Sequence, residues 1–287
     1  MDKYIQRYLN SLTNQSQRTV DIYTKDLKMF NDYMNREKLS IITATLDDLQ
    51  GYAKYLKIER KYSESTMNRR LQLVKYLYKY LHRARVITEN PAEYLELPKI
   101  PERLPESLTL EEAKKLVEVI DKEKNKYLKI RDKAIILIFI NLGLRVNEVA
   151  ELKINNIKGN TLKFIGKGNK ERSIFMTDDV ITAINEYLTI RPNVESDYLL
   201  ISERRRPISK QTIQFTVKKY LKNAGLEGYC HLLRHTSATL MLEQDIDPRT
   251  IQSILGHSDI KTTELYMKVT DKRKEQAAQR MNGLFTS

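Results

Sequence analysis

Apolar residues recur with helical spacing through the first hundred positions of the chain. In one stretch they follow one another at intervals of three, four, three and four residues: Val20, Tyr23, Leu27, Phe30 and Met34. This spacing places them on one face of a helix, and Ser16 is a suitable cap before it. Two further helices are predicted, one after Thr45 and one from about Ser65. The pattern therefore indicates an all-helical domain at residues 1–97.

Prolines are concentrated directly after this helical region. Pro98, Pro101 and Pro105 place three of the seven prolines of the chain within eight residues. Proline lacks a backbone donor and disfavours helix in the residue before it, so residues 98–106 predict an extended linker. A chain of 287 residues is long enough for two domains. We therefore expect a second domain at residues 107–287.

The second domain begins with a capping box formed by Thr109 and Glu112. A strongly apolar helix follows, and Gly143 ends it. Two short strand patterns, Thr161 to Ile165 and Glu171 to Met176, flank a Gly- and Lys-rich loop that is typical of a hairpin. The order predicts a mainly α fold with one small antiparallel β-sheet.

Helical patterns resume after the predicted hairpin and continue to the end of the chain. The predicted helices cover 178–190, 209–224, a segment that carries His231, Arg234 and His235, a segment from Asp247-Pro248 to Gly256, and a tail helix at 272–281. Proline suits the first position of a helix, and glycine suits the left-handed turn after its end. The tail has an apolar side, which must be buried either on its own domain or on a neighbour.

The charge of the chain predicts a polyanionic partner. Lys and Arg number 50 against 37 Asp and Glu, which leaves a net charge of +13. Nucleic acid is the first candidate, and a merely soluble basic protein is the alternative. A single cysteine excludes an internal disulfide. There is no apolar run of transmembrane length and no signal peptide, so we expect a cytoplasmic protein.

Candidate chemistry is concentrated near the carboxyl end, where three of the four histidines lie. His231, Arg234 and His235 occupy positions i, i+3 and i+4, which share one helical face. His257 follows Gly256 on a predicted tight turn. Two helix ends and a turn would therefore collect histidines and an arginine, with a tyrosine, Tyr266, two turns beyond.

Three other site types are disfavoured by the sequence. His231 and His235 have the spacing of a zinc-binding helix, but Leu232 stands where a metalloprotease needs its glutamate. Cys230 is adjacent to His231 and so points away from it on a helix, which disfavours a catalytic Cys–His pair. The glycine-rich loop lacks the pattern of a phosphate-binding loop. No metal and no cofactor are expected.

The carboxyl-terminal pattern resembles that of the phage integrase and Xer family of tyrosine recombinases. In that family a His-x-x-Arg-His helix is followed by Leu-Gly-His and then by a nucleophilic tyrosine. Residues 143–148, Gly-Leu-Arg-Val-Asn-Glu, resemble the motif of the first catalytic arginine, and residues 166–172 resemble the hairpin of the catalytic lysine. The resemblance is strong over about the last 180 residues and looser before them.

The resemblance implies the following roles. Tyr266 is the nucleophile that attacks a DNA phosphodiester. Two guanidinium groups bind the non-bridging oxygens better than ammonium groups would. The site residues expected on this basis are Arg145 and Arg234 as charge stabilisers, Lys167 as general acid, His231 and His257 on the phosphate or the tyrosine proton, and Glu148 as the residue that orients the cationic groups. His235 is expected to be structural.

Competing interpretations remain for several of these residues. Lys167 lies in a loop where lysines are usually only solvated, and Tyr266 is one of 17 tyrosines. Basic residues expected to contact DNA form two groups, Arg69, Arg70 and Lys75 in the amino-terminal domain and Arg204, Arg205 and Arg206 in the second. For each of them, a solvated surface is the alternative.

The resemblance implies a site-specific DNA recombinase that cuts and rejoins strands through a 3′-phosphotyrosyl bond and a four-way junction. It also implies a clamp around double-stranded DNA and a tetramer on two sites, with the tail docked on the neighbouring protomer. The predicted helical domain begins almost at residue 1, which favours Xer-like or transposon-borne recombinases. The alternatives are a type IB topoisomerase and an inactive DNA-binding regulator. The target sequence, the biological task and any activating partner stay open.

Overall fold

The computed structural model describes residues 1–100, 106–165 and 171–256, together with Glu275 and Gln279; the side chains of 164, 165 and 171 are excepted. The chain divides into two compact units, Met1–Glu102 and Arg103–Ser287. Each unit has a hydrophobic core of its own. The division falls within the proline-rich segment at residues 98–106.

The first unit contains four helices among its described residues. They are α1 Lys3–Asn10, α2 Gln17–Arg36, α3 Leu46–Ile58 and α4 Glu64–Arg83. Ser16 caps α2, and Thr45 forms a capping box with Asp48 before α3, as expected from these residue types. The sequence pattern did not predict α1, and α4 begins after Ser63, slightly earlier than predicted.

The apolar stripes of α2 and α4 form most of this first core. Of the stripe predicted on α2, Leu27, Phe30 and Met34 are buried, and Val20 and Tyr23 are partly buried. On α4 the buried residues include Leu71, Val74, Tyr78 and Leu81. The ring of Phe30 packs edge-on against Tyr52 of α3, with centroids 4.9 Å apart. Burial of these side chains, at roughly 1.5–3 kcal/mol each, supplies the main favourable free energy of the unit.

The second unit is built around one apolar helix. Its elements are α5 Leu110–Asp121, α6 Lys126–Leu142, α7 Val146–Ala150, β1 Ile157–Lys158, β2 Thr161–Ile165, β3 Glu171–Phe175, α8 Asp178–Ile190, α9 Lys210–Asn223, α10 Cys230–Glu243 and α11 Pro248–Leu255. Helix α6 packs against α5, α8, α9 and α10. Because it is covered on several sides, it buries apolar residues around much of its circumference, including Ile135, Ile136 and Phe139.

The three described strands form one antiparallel sheet in the order β1, β2, β3. Thr161 pairs with Phe175, and Phe164 pairs with Arg172. Strand β3 ends one residue before the predicted Met176, and β1 was not predicted because it has only two residues. The mainly α fold with one small antiparallel sheet is confirmed. Among the described residues, no helix is both long and apolar enough to cross a membrane.

Candidate active site

Arg234 lies on α10 and is almost completely buried, at 4% exposure. Its Nη1 donates to the carbonyl oxygen of Gly143 at 2.5 Å, and its Nη2 donates to that of Leu255 at 2.8 Å. Gly143 ends α6 and Leu255 is the last residue of α11. Carbonyls at a helix end lack partners within the helix and carry partial negative charge. The guanidinium therefore caps two helices at once.

Two glycines allow these helix ends to approach the arginines. Gly143 and Gly256 adopt left-handed conformations, with φ of 59° and 66°. A Cβ at Gly143 would collide with the Leu255 side chain, and a Cβ at Gly256 would collide with the guanidinium of Arg172. Glycine is thus required at both positions for conformation and for space.

Arg145 precedes α7 and reaches the same turn from the other side. Its Nη2 donates to the carbonyl oxygen of Gly256 at 2.9 Å, and its Nη1 donates to Glu148 Oε1 at 2.9 Å. The second oxygen of Glu148 accepts the backbone N–H of Arg145 at 2.7 Å. Arg145 and Arg234 are therefore bound to consecutive carbonyls, those of Gly256 and Leu255. The Arg145 side chain is 42% exposed, so an anion from solvent can reach it.

Arg172 is a site residue that the sequence reasoning missed. Its Nη1 donates to Leu255 O at 2.8 Å, and its Nη2 lies 3.7 Å from Glu148 Oε2. Burial lowers its pKa, and Glu148 opposes that effect. Arg172 is the last residue of the hairpin motif at residues 166–172. Its contacts with α7 and α11 form only when the chain folds, so the motif alone does not reveal them.

His231 and His235 share a face of α10, as predicted, but their environments differ. His231 is exposed, whereas His235 is half-buried, and their ring centroids are 6.4 Å apart. Burial, followed by the charges of His231 and Arg234, lowers the pKa of His235 to about 4. At neutral pH His235 is therefore uncharged, which fits a structural role. His231 is the one of the two that can meet a ligand from solvent.

Several predicted site residues lie outside the described part of the chain. These are Lys167, His257 and Tyr266, together with the predicted tail helix apart from Glu275 and Gln279. His257 follows in sequence directly after Gly256, whose carbonyl accepts from Arg145. The roles of all these residues stay predictions.

Two of the tyrosines that compete with Tyr266 for the role of nucleophile, Tyr187 and Tyr220, are held inside the fold, whereas Tyr198 is only partly buried. Tyr187 is fully buried, and its hydroxyl accepts the backbone N–H of Ile201 at 2.9 Å. The Tyr220 hydroxyl donates to Asp132 at 3.1 Å, and burial with this carboxylate raises the pKa of Tyr220. A buried phenol with a raised pKa is a poor nucleophile.

Among the described residues, the His, Cys, Asp and Glu side chains are those that could form a metal site or a reactive thiol. No group of three or more His, Cys, Asp and Glu that could hold a metal ion occurs among them. Cys230 is buried, and burial raises the pKa of its thiol to about 11. It is therefore a neutral thiol at physiological pH.

The predicted DNA-contacting residues of the first unit have partners within the fold. Arg69 forms an ion pair with the buried Asp26, and Arg70 Nη2 lies 3.3 Å from the same carboxylate. Lys75 Nζ donates to two backbone carbonyls, one of them that of Leu95 at 2.9 Å. The Arg70 side chain is only 12% exposed. DNA binding by these residues stays a prediction, and Arg70 offers the least accessible surface.

The second predicted group, Arg204, Arg205 and Arg206, forms an exposed turn. Ser202 N–H donates to the carbonyl of Arg206 at 2.7 Å, which closes the turn. Arg205 is at its tip with a positive φ of 56°. Three adjacent exposed guanidinium groups on a closed turn suit phosphate contacts, and this role also stays a prediction.

Two family models match the chain. The model of the phage integrase family matches residues 106–273, and the model of the phage integrase N-terminal SAM-like domain matches residues 3–85. The two matches follow the two compact units, and the first alone covers more than half of the chain.

Individual proteins agree with these matches. The chain is 38% identical to tyrosine recombinase XerC of Caldanaerobacter subterraneus subsp. tengcongensis, over 94% of this chain and 83% of that protein. It is 38% identical to tyrosine recombinase XerA of Pyrococcus furiosus, over 94% of this chain and 90% of that protein. A crystal structure of XerH site-specific recombinase, bound to palindromic difH substrate in a post-cleavage complex, superposes with a TM-score of 0.79. It is 23% identical and covers 96% of this chain and 83% of that chain, which is evidence for the fold. The chain therefore belongs to the phage integrase family and is a Xer-like tyrosine site-specific recombinase.

Proposed function

We propose that the protein cuts and rejoins double-stranded DNA at two specific sites, with Tyr266 as nucleophile. Its phenolic oxygen attacks the phosphorus, a 3′-phosphotyrosyl bond forms, and the bond to the 5′ oxygen breaks. The 5′ hydroxyl of a partner strand then attacks that linkage and releases the tyrosine. Each step exchanges one phosphodiester bond for another, so the reaction needs neither ATP nor an external reductant.

One observation carries the proposal: Arg145 and Arg234 are bound to the consecutive carbonyls of Gly256 and Leu255. Two guanidinium groups held this close favour the pentavalent, negatively charged transition state of phosphoryl transfer. His257 is the next residue after Gly256, and Tyr266 follows nine residues later. Both predicted residues are therefore close in sequence to the turn that the arginines bind.

Other predicted residues complete the mechanism. Lys167 donates a proton to the departing 5′ oxygen, and a lysine on a hairpin has the reach for this. His231, exposed on the face of α10, and His257 hydrogen-bond the phosphate or accept the tyrosine proton. Glu148 contacts Arg145 and Arg172, so it fixes their direction.

The proposal includes the partners and the location. A net charge of +13 and the exposed turn at residues 204–206 support DNA as the partner. Strand exchange through a four-way junction requires four active sites, and we propose a tetramer on two DNA sites in the cytoplasm. The residues 1–97 then form one half of a clamp around the duplex, and 107–287 form the catalytic half.

The nucleophile is tested by replacing Tyr266. Sequencing the DNA that becomes covalently attached to the protein in its host identifies the target site, and a nicked duplex of that site then traps the adduct. Wild-type protein should form adducts in excess EDTA without ATP. Tyr266→Phe should abolish adducts and leave DNA binding intact, because only the attacking oxygen is removed.

The matched control is Tyr229→Phe, at an exposed tyrosine immediately before α10. It should form adducts at the wild-type rate. Adducts with Tyr266→Phe would show that another residue is the nucleophile. Recombinant junctions, as opposed to relaxed circles alone, distinguish a recombinase from a topoisomerase.

A further inference from the structure

The side chain of Arg172 joins two elements that carry predicted catalytic residues. It projects from β3, with its side chain 14% exposed. One nitrogen donates to Leu255 O at the end of α11, 2.8 Å away. Another lies 3.7 Å from Glu148, whose other oxygen binds Arg145. A single planar guanidinium therefore connects the sheet, the end of α11 and the start of α7.

The packing around Gly256 shows how tightly this guanidinium is placed. The position that a Cβ of Gly256 would take is already occupied by the Arg172 head group. The backbone of the turn thus lies directly against the guanidinium. Since Arg145 Nη2 binds Gly256 O at 2.9 Å, the turn is held between Arg145 and Arg172.

Burial of this charge argues against a role in stability alone. Desolvation of Arg172 lowers its pKa, so holding its charge there costs free energy. An apolar side chain of similar volume often serves stability as well as a buried ion pair does. An apolar side chain, however, gives no directional bond to a carbonyl or a carboxylate.

We infer that Arg172 is a positioning residue for DNA cleavage, which fixes the Leu255-Gly256 turn and the Glu148-Arg145 pair in one geometry. It acts through these groups and not on the phosphate. Its loss lets the turn and Arg145 shift relative to each other, and therefore misplaces the residue after Gly256. This inference rests on the proposed function.

Arg191 offers a matched control within the same unit. It is also a half-buried arginine whose guanidinium donates to backbone carbonyls, among them those of Ser196 and Tyr198 at 2.9 and 2.7 Å. Its other acceptors in the described structure are the carbonyls of Pro192 and Leu199, so these bonds lie outside α7 and α11. Arg191→Gln therefore removes a similar set of bonds without disturbing the turn at Gly256.

The test compares Arg172→Gln, Arg172→Lys and Arg191→Gln on the nicked duplex, at saturating protein. Arg172→Gln should lower the rate of adduct formation by about 100-fold, the effect of a small misplacement of reacting groups. Its affinity for a half-site should be unchanged, because cleavage and not binding depends on the turn. Arg172→Lys should also be slow, since a single ammonium nitrogen replaces the two separate guanidinium nitrogens that face Leu255 O and Glu148.

Melting temperatures show whether a variant cleaves slowly because its active site is misplaced or because its fold is less stable. If Arg172→Gln and Arg191→Gln lower Tm by similar amounts and only the former slows cleavage, the inference is supported. If both slow cleavage equally, or if neither Arg172 variant does, the inference is wrong. Should Arg172→Gln fail to fold, the Arg172→Lys variant decides in the same way.

A second comparison tests the contact itself. Gly256→Ala should slow cleavage in the wild-type background, because its Cβ displaces the Arg172 guanidinium. In the Arg172→Gln background the same change should cost much less, since that guanidinium is already absent. The backbone strain that alanine introduces at position 256 is the same in both backgrounds, so it cancels when the two effects are compared. Additive effects would contradict the inference, whereas failure of wild-type protein to form any adduct would contradict the proposed function instead.

Discussion

Arg234 and Leu255 are 21 residues apart in sequence, and the Arg234 Nη2 donates to the Leu255 carbonyl oxygen at 2.8 Å. This bond connects the end of α11 to α10 in the second unit. Its partner bond to Gly143 O attaches the end of α6 at the same point. The residue proposed to stabilise the transition state is therefore also a support for the two helix ends that form the site.

The first prediction concerns this double role of Arg234. Arg234→Lys should lower the cleavage rate by at least about 100-fold, because a charge-stabilising donor is lost. It should also lower the free energy of unfolding by about 1–3 kcal/mol, since one buried carbonyl loses its partner. Cleavage of the nicked duplex and urea unfolding measure the two effects.

Arg145→Lys is the matched comparison, because the Arg145 side chain is 42% exposed. It should lose a similar factor in cleavage and much less stability, since water replaces the lost bonds. Equal losses of stability in the two variants would show that burial does not separate their roles.

Local features of the fold could be predicted from the sequence. Helix starts at Ser16, Thr45, Thr109 and Asp247 follow from capping side chains, and the ends at Gly143 and Gly256 follow from left-handed turns. These features depend on residues within one or two turns of each other, so periodicity and cap chemistry are sufficient. Strand β1 has two residues, too few to produce a pattern.

Contacts between distant residues could not be predicted in this way. Arg172 meets Leu255 across 83 residues, and Arg69 meets Asp26 across 43. The hairpin motif contained Arg172, but only the pairing of β2 with β3 and the packing of α11 bring its guanidinium to the turn. Similarly, the basic pattern of α4 does not reveal that Asp26 on α2 is buried beside it.

The second prediction is a pH effect on stability from His235. The folded-state pKa of His235 is about 4, below its ordinary value of 6.5, because the side chain is partly buried next to His231 and Arg234. The unfolded chain therefore binds a proton as pH falls below 6.5, whereas the folded chain does so only near 4. Above pH 6.5, His235 does not affect the free energy of unfolding. As pH falls from 6.5 to 4, the free energy of unfolding decreases progressively.

The variant His235→Asn removes this proton linkage. Between about pH 7.5 and about pH 5, wild-type protein should lose about 1–2 kcal/mol more unfolding free energy than the variant does. Urea unfolding at the two pH values measures the difference, and NMR titration of the ring measures the pKa of His235 directly. Parallel pH profiles for the two proteins would contradict the expected linkage.

The third prediction separates the two groups of basic residues proposed to contact DNA. Arg205→Gln, at the tip of an exposed turn, should weaken half-site binding and reduce the salt slope of log K by about 1, because one phosphate contact is lost. Arg70→Gln should instead lower the melting temperature, because Arg70 pairs with the buried Asp26.

Binding titrations at several salt concentrations and thermal unfolding distinguish these outcomes. An unchanged salt slope in Arg205→Gln would remove this turn from the DNA interface. A reduced slope in Arg70→Gln at unchanged melting temperature would place Arg70 on DNA despite its contacts within the fold.

The last prediction concerns the tail after Tyr266. Its apolar side comprises Ala277, Ala278, Met281, Leu284 and Phe285, and a helix this short must bury that side to persist. Glu275 and Gln279, four residues apart, are helical and exposed. We expect the apolar side to dock on the neighbouring protomer, so truncation after Thr270 should leave half-site binding intact and remove cooperative filling of a full site, as measured by gel shift.

A pair of substitutions tests docking without shortening the chain. Met281→Asp places a charge on the apolar side and should reduce cooperativity as the truncation does, because burial of an unpaired carboxylate is costly. Gln279→Asp places the same charge at an exposed position and should assemble like wild type. If truncated protein and Met281→Asp both fill a full site as cooperatively as the intact chain, the tail does not dock in trans. If half-site binding falls as well, the tail supports its own domain instead.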